Sequence, residues 1–239
     1  MSVFEFKTRV SYDDVDGDLN LTLRGAMGMM QEAAIIHSDQ IGYSVYDTER
    51  THVIWMLVHW RIRLVSSAKW NENVLVKTWP RTMDRATSER DFEIVGADGR
   101  CIAIGKSVWV LVSTETGRII RIPSEVSSAY QLTERSVFKD ERTALEITAK
   151  EQTYSGKILK CNIDTNHHVN NRVYLDFAYE ALPDEVSLKQ FSEILIHFRK
   201  QLVRNERVSC YCGMCERGCS IDVCGTDEKD IRASVELFV

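Results

Sequence analysis

The 239-residue sequence lacks the long apolar segments and biased stretches that mark membrane and disordered proteins. No apolar run approaches the ~20 residues that a membrane-spanning helix needs. The N-terminal segment Met1–Lys7 has no long apolar core, so we expect no signal peptide and a cytoplasmic location. Charged low-complexity runs are also missing, and the ordinary apolar fraction predicts a packed globular protein.

Positive charge is not in excess either. The chain has 30 Lys and Arg against 35 Asp and Glu, which gives a formal net charge of −5. This balance argues against general nucleic-acid binding, and we predict no nucleic-acid partner. The length allows one large domain or two of about 100–150 residues.

Complete metal-binding patterns are missing as well. Five of the seven cysteines occur from Cys210 onward, and Cys212 and Cys215 form a CxxC pair, but no second pair follows at zinc-ribbon spacing. We interpret this region as a β-hairpin with reduced thiols. The acidic segment Asp13–Asn20 alternates like a calcium loop, yet Gly25 stands where an EF-hand has glutamate. We predict no metal and no cofactor.

Hydrophobic periodicity predicts a long helix followed by an antiparallel sheet, an α+β fold. Leu23, Met27, Met30 and Ala34 are spaced four, three and four residues apart, which predicts a helix from about residue 23 to 41 that ends at Gly42. Segments rich in β-formers follow and are separated by turns. Such a sheet can wrap the helix and bury its apolar face. The predicted strands here are 4–10, 53–64, 73–79, 86–95 and 101–113.

A polar octet, Asp164–Asn171, precedes a second and shorter helical pattern. Asn170 or Asn171 can cap this helix, whose apolar positions recur at helical spacing. Asn166 and His168 therefore lie just before a helix N-terminus, where free N–H groups and the helix dipole favour developing negative charge. This arrangement suits acyl transfer or hydrolysis better than metal binding.

The second half repeats the first. Asp14–Asn20 aligns with Asp164–Asn170 at one fixed offset, and three shorter matches follow in the same order, which indicates internal duplication. In this alignment Asp16 and Asp18 stand where Asn166 and His168 stand. We therefore predict one chemical site, in the second half, with the first half providing substrate volume. We divide the chain into a repeat at 1–118, a linker at 119–148 and a repeat at 149–239. The shorter matches pair Gln31–Ala33 with Tyr179–Ala181, Val58–Arg61 with Ile196–Arg199, and Asn71–Glu72 with Asn205–Glu206.

The octet resembles the active-site loop of the acyl-(acyl-carrier-protein) thioesterases of plants and bacteria, Asp-x-Asn-x-His-Val-Asn-Asn before a short aromatic helix. Further segments resemble that family along most of the chain. The resemblance implies a double hotdog fold, two tandem repeats of a helix wrapped by an antiparallel β-sheet. It also implies a homodimer that hydrolyses acyl-carrier-protein thioesters and so ends fatty acid synthesis. The further segments are Met29–His37, Lys69–Glu72, Lys77–Pro80, Ser107–Val110, Glu115–Arg118 and Arg121–Pro123.

The resemblance and the residue chemistry together suggest roles. His168 is the candidate for proton transfer, because imidazole exchanges protons near neutral pH. Asn166 could donate its amide N–H to the thioester carbonyl. Asp164 would orient His168 or Asn166, unless it forms a simple Asx turn. The residues assigned to substrate binding are Asn170, Asn171, Glu32 and Arg199, although the two asparagines also suit helix capping and loop support.

One position departs from the family. The strand that we predict over Phe191–Gln201 carries a catalytic glutamate, often followed by cysteine, in the family, but Gln201 and Leu202 take those positions here. Leucine excludes a thiol nucleophile, and an amide cannot abstract a proton. Either His168 is the sole base, or another carboxylate substitutes, or activity is low. The candidate carboxylates are Glu180, Glu206 and Glu32.

An acidic acyl-carrier protein with its attached acyl chain should meet a basic surface. Two other functions remain open, an acyl-CoA thioesterase of the same fold and a non-catalytic acyl-binding or sensor module. Gln201 favours the binding module, whereas the intact Asn166 and His168 argue against it. The basic residues considered for carrier recognition are Arg199, Lys200, Arg204, Arg207, Arg61 and Arg63.

Overall fold

The computed structural model describes residues 3–239 and divides into two units, the first ending at Glu141 and the second spanning Arg142–Val239. Each unit packs one main helix against its own five antiparallel strands. No helix within residues 3–239 is long and apolar enough to cross a membrane.

In the first unit the main helix is α1, Leu23–Gln40. It begins where the Thr22 hydroxyl accepts the Gly25 N–H at 3.0 Å, and it ends before Gly42, whose φ of 76° requires the left-handed region. The sheet has the order β1-β3-β4-β5-β2. Two short helices, α2 (Thr48–Thr51) and α3 (Ser124–Ala129), lie outside it. The strands are β1 Phe4–Arg9, β2 Val53–Leu64, β3 Asn73–Asp84, β4 Thr87–Gly96 and β5 Cys101–Ser113.

The predicted helix and strands of the first unit are thus confirmed to within a few residues at each end, apart from β3, which runs five residues past its predicted end. Gly25 shows why a poor helix former is tolerated inside α1, because a Cβ there would collide with the backbone and side chain of Asp14. The helix side of the sheet is fully buried, with Met27, Met30 and Trp60 at 0% exposure. The close contact at Gly25 fixes the segment before α1 against the helix.

In the second unit the main helix is α4, Asn171–Glu180, and the Asn170 side chain caps it by accepting the Arg172 N–H at 2.9 Å. The sheet order is β7-β10-β9-β8-β6. β8 and β9 form the predicted hairpin, and all seven cysteines of the chain are free thiols. The strands are β6 Glu151–Lys157, β7 Glu193–Phe198, β8 Arg207–Cys215, β9 Gly218–Cys224 and β10 Ile231–Phe238.

The strand predicted over Phe191–Gln201 is wrong at its end, since β7 stops at Phe198. The N–H groups of Arg199 and Lys200 both donate to the carbonyl of Arg232, at 2.8 and 3.2 Å. Two donors on one acceptor break the regular ladder, and β10 has an irregularity at the same place. Gln201 therefore lies in an irregular segment after the strand.

Residues 133–140 cross the face of the first sheet that points away from α1. The Trp79 indole N–H donates to the Arg135 carbonyl at 2.8 Å, and the Val137 N–H donates to Asp91 at 2.8 Å. Arg61 and Arg63 each bind the Asp140 carboxylate at 2.7 Å, and these arginines hold its pKa well below the usual range. Two of the basic residues considered for carrier recognition are therefore held within their own unit.

Asp91 makes the contact between residues 133–140 and the first sheet pH-dependent. Its carboxyl is fully buried, one oxygen has no partner among the described residues, and burial raises its pKa to about 6. Between about pH 4 and 6, the Asp91 carboxyl keeps a proton in the folded state that it has already released in the unfolded state. The contribution of Asp91 to stability is therefore full below about pH 4 and lost as pH rises through about 6.

We expect Asp91→Asn to gain about 1–3 kcal/mol in unfolding free energy relative to wild type when pH is raised from 4 to 7.5. Urea denaturation at a series of pH values measures the difference. Asp98→Asn is the control of opposite sign, because the N–H and guanidinium groups of Arg100 lower the pKa of Asp98. A flat difference between Asp91→Asn and wild type would contradict the assignment.

Candidate functional site

The polar octet forms a tight loop before α4. The Asp164 N–H donates to the His168 carbonyl at 2.9 Å, and the His167 N–H donates to the Asp164 carbonyl at 3.1 Å. His167 adopts a left-handed φ of 63°. The Asn166 N–H donates to Asp164 Oδ1 at 2.8 Å, so the carboxylate forms an Asx turn. Of the two orienting roles predicted for Asp164, the observed bond serves Asn166.

The first unit contains the same loop with other side chains. The Asp16 N–H donates to the Asn20 carbonyl at 2.8 Å, and the Asp18 N–H donates to Asp16 Oδ1 at 2.9 Å. Leu19 repeats the left-handed φ of 63°. Asp16 therefore matches Asp164, and the predicted alignment was two residues out. Acids at every second position allow such a slip, whereas the hydrogen bonds fix the register.

The corrected register places Asp18 and Asn20 of the first loop where the second has Asn166 and His168. The strand match of Val58–Arg61 is also wrong, by four residues, because Val65 and Ser66 share one carbonyl as Arg199 and Lys200 do. The match of Asn71–Glu72 with Asn205–Glu206 is confirmed, since both asparagines are left-handed, with φ of 67° and 73°. The Asn–His pair still occurs only in the second loop.

The backbone of Leu202 ties the loop and α4 to the segment that contains Gln201. Its N–H donates to the Tyr174 hydroxyl at 2.8 Å, and its carbonyl accepts the Val169 N–H at 2.9 Å. Val203 forms a β-bridge with His168. Burial raises the pKa of Tyr174 to about 12, so the phenol stays neutral. The backbone of Gln201 is thus fixed one residue from this junction.

Arg232 holds the same segment from the other side. It is 4% exposed, and its guanidinium donates to the Gln201 carbonyl at 2.5 Å, to Glu206 at 3.1 Å and to Asp230 at 2.7 Å. Glu206 also accepts the Val203 N–H at 2.8 Å. One of the candidate substitute bases is therefore bound in an ion pair.

The other two candidate carboxylates are exposed and lie on helices. Glu180 is exposed at the last residue of α4, and Glu32 is exposed on α1 of the first unit. Asn170 is the helix cap, Asn171 is the first residue of α4, and the exposed Arg199 follows β7. Of the predicted site residues, the second unit brings together Asp164, Asn166, His168, Asn170, Asn171 and, through Leu202, Gln201.

His168 and Asn166 keep side-chain groups available. His168 is half-buried, and no residue within 3–239 forms a hydrogen bond with its buried Nδ1. The exposed side chain of Asn166 likewise has no hydrogen-bond partner in the described part of the chain. A polar atom without a protein partner is free to bind a water molecule or a substrate group. The pair can take a proton and donate an N–H to an anion.

Sequence reasoning missed Tyr174 and Arg232. Tyr174 counted only as part of an apolar face, because periodicity cannot show where its hydroxyl points. Arg232 had a readable signal, the single cation of a terminal strand whose other polar residues are only Ser234 and Glu236. Both act on backbone groups around Gln201 and not on the loop side chains.

Two protein-family models match the chain, the acyl-ACP thioesterase N-terminal domain at residues 1–130 and the C-terminal domain at residues 145–233. The oleoyl-acyl carrier protein thioesterase 2 of Arabidopsis thaliana, a chloroplastic protein, is 24% identical over 206 residues, which cover 78% of this chain and 56% of that protein. The chain therefore spans about half the length of the curated relatives it matches.

Solved structures of two thioesterases are similar over nearly the whole chain. An acyl-ACP thioesterase from Bacteroides thetaiotaomicron has a TM-score of 0.88 at 17% identity, with 99% of this chain and 97% of that chain covered. The 12:0-ACP thioesterase from Umbellularia californica has a TM-score of 0.82 at 18% identity, with 100% and 97% covered. This likeness confirms the predicted α+β double hotdog fold.

Removing the Tyr174 hydroxyl tests the junction at Leu202. We expect Tyr174→Phe to lower the unfolding free energy by about 1–3 kcal/mol, because it leaves the buried Leu202 N–H without an acceptor. Urea denaturation measures the loss, and amide hydrogen exchange should show faster exchange at Leu202. Tyr154→Phe is the matched control, since that hydroxyl has no hydrogen bond among the described residues. Equal effects of the two changes would contradict a structural role for the Tyr174 hydroxyl.

Proposed function

Because the chain belongs to the acyl-ACP thioesterase family, we propose that it hydrolyses acyl-(acyl-carrier-protein) thioesters to a free fatty acid and the carrier-protein thiol, which ends fatty acid synthesis. The observation that carries this proposal is the buried Nδ1 of His168, which no described residue binds, in a loop that also presents the unbound amide of Asn166. The cytoplasmic location and the homodimer stay predictions. Light scattering on the purified chain would test the homodimer.

In the proposed reaction His168 takes a proton from a water molecule as its oxygen attacks the thioester carbonyl. The carbonyl oxygen becomes an oxyanion, to which Asn166 donates its amide N–H, a contact of a kind worth about 3 kcal/mol in other hydrolases. The carbon–sulfur bond then breaks, and the thiolate takes the proton from the imidazolium. Asp164 holds the Asn166 backbone during these steps.

Gln201 fits this scheme as a residue that positions water. Its amide cannot accept a proton at neutral pH, but its oxygen and N–H groups can hold a water molecule. The ion pair of Glu206 with Arg232 leaves that carboxylate poorly suited to act as a base. His168 therefore remains the first candidate for the base.

The acyl-CoA thioesterase and the acyl-binding module are the alternatives. Measuring kcat/KM on acyl-carrier-protein and on acyl-CoA thioesters separates the acyl-CoA thioesterase from the proposed enzyme, because the favoured carrier will show the higher value. The binding module is supported by Gln201 alone and would hold acyl ligand without turnover.

His168→Ala should lower the rate of free-thiol release from acyl-carrier-protein thioesters at least ~100-fold, the usual size of a general-base effect. His167→Asn is the control, because that neighbour is exposed and asparagine tolerates its left-handed backbone. An unchanged rate in His168→Ala would reject the site. A folded wild type that turns over no chain length would reject the enzyme and favour the binding module.

Gln201→Glu separates the explanations for the missing carboxylate. If His168 is the sole base, the variant should change kcat by less than about tenfold, since the step already has its proton acceptor. The same thiol-release assay measures the change, with Gln201→Ala as the control that removes the amide. A rise of about 100-fold or more would show that wild type is limited by the lost glutamate.

A further inference from the structure

Four exposed basic side chains border the candidate loop in the second unit: Lys157, Lys160, Arg204 and Arg207. Lys157 and Arg207 stand directly opposite each other at the ends of β6 and β8. Like charges at opposed positions repel and destabilise a sheet. None of the four forms an ion pair with any residue the structure describes. The fold therefore keeps a repulsion between Lys157 and Arg207 that an acidic residue at either position would remove.

Comparison of the two repeats shows that Lys160 and Arg204 occupy neighbouring positions. In the corrected register they match Tyr12 and Trp70 of the first unit, whose rings meet edge to face with centroids 6.2 Å apart. The second unit therefore has two cations at the positions where the first unit has an aromatic contact. Both cations are exposed and flank the loop that contains His168.

Exposed apolar side chains lie beside these cations. Leu159 precedes Lys160 and is 55% exposed, and Val203 precedes Arg204 and is 39% exposed. Val203 also forms the β-bridge with His168. The surface thus combines positive charge with apolar contacts next to the candidate base, a combination that suits an amphipathic acidic helix.

Neighbouring acids do not neutralise this surface. Glu206 and Asp230 are both bound to Arg232. The chain as a whole carries a net charge of −5, so an acidic partner is repelled by most of the protein. A local basic surface would then orient that partner toward the loop.

We infer that Lys157, Lys160, Arg204 and Arg207 form the docking surface for an acidic carrier protein, with its acidic helix against the cations and its thioester arm directed to His168. This inference rests on the proposed function. Of the basic residues considered from the sequence it keeps Arg204 and Arg207, and it adds Lys157 and Lys160. Arg61 and Arg63 are left out because they bind Asp140, and Lys200 because it lies 3.7 Å from Asp230.

The test compares Lys160→Glu/Arg204→Glu with wild type on two substrates, an acyl-carrier-protein thioester and an acyl-N-acetylcysteamine thioester, which is small and uncharged. We expect kcat/KM on the carrier-protein substrate to fall about 10- to 100-fold, mainly through KM and less at high salt, because steering by charge is screened. Hydrolysis of the uncharged thioester should not change. The charge-matched control is Arg118→Glu/Arg121→Glu, two exposed arginines of the first unit.

A second variant separates a loss of carrier binding from a loss of stability. Lys157→Glu should raise the melting temperature, because it turns a repulsive pair with Arg207 into an attractive one. The same change should weaken binding of fluorescently labelled acyl-carrier protein, measured by anisotropy. A purely structural role would not raise stability and lower affinity together.

Three outcomes would overturn the inference. Equal losses on both thioesters would place the effect in the catalytic loop, and an equal loss in the first-unit control would show a non-specific charge effect. The same variant is also assayed on an acyl-CoA thioester, and a loss there as large as that on the carrier-protein substrate would indicate a phosphate site instead of a protein-docking surface. If wild type hydrolyses neither thioester, the proposed function fails, and carrier binding by anisotropy still decides the docking surface.

Discussion

The candidate site depends on how the backbone of Leu202 is held. Its N–H and carbonyl are used by two different elements, the Tyr174 hydroxyl of α4 and the Val169 N–H at the end of the loop. Leu202 is itself fully buried, so either group left unpaired would cost free energy comparable to a lost hydrogen bond. The loop, the helix and the segment of Gln201 therefore keep one arrangement or lose stability together.

The duplication separates residues that support the loop from residues that serve its chemistry. In the first unit Arg100 binds Glu72 at 2.5 Å and Asp98 at 2.9 Å, and Glu72 accepts the Lys69 N–H at 3.1 Å. The second unit repeats this group with Arg232, Glu206, Asp230 and Val203. Since the first loop has no histidine, the repeated acid must serve the fold. This comparison argues that Glu206 is structural.

Much of the fold could be predicted because periodic patterns of apolar residues indicate its helices and strands. The α1 helix and the strands of the first unit follow from apolar spacing and turn residues. The register of the repeat could not be predicted, because alternating acids permit a shift of two residues. The left-handed backbone that fixes the register falls in the first loop on Leu19, a residue type that seldom adopts it. The end of β7 depends on a shared carbonyl, and no side-chain pattern encodes that bond.

The site could be predicted in part for a related reason. Asn166 and His168 lie in a local segment whose chemistry is visible in the residue types, whereas Tyr174 and Arg232 act through long-range contacts to backbone groups. The most instructive contrast is at the surface. Both units keep the same turns around the loop, yet Tyr12 and Trp70 in one correspond to Lys160 and Arg204 in the other. The side chains inside the loop and the residues beside it differ between the two units, while the ion-pair group of arginine and two acids is the same in both. That coincidence supports the proposal that the second unit contains both the chemistry and the recognition of a charged substrate.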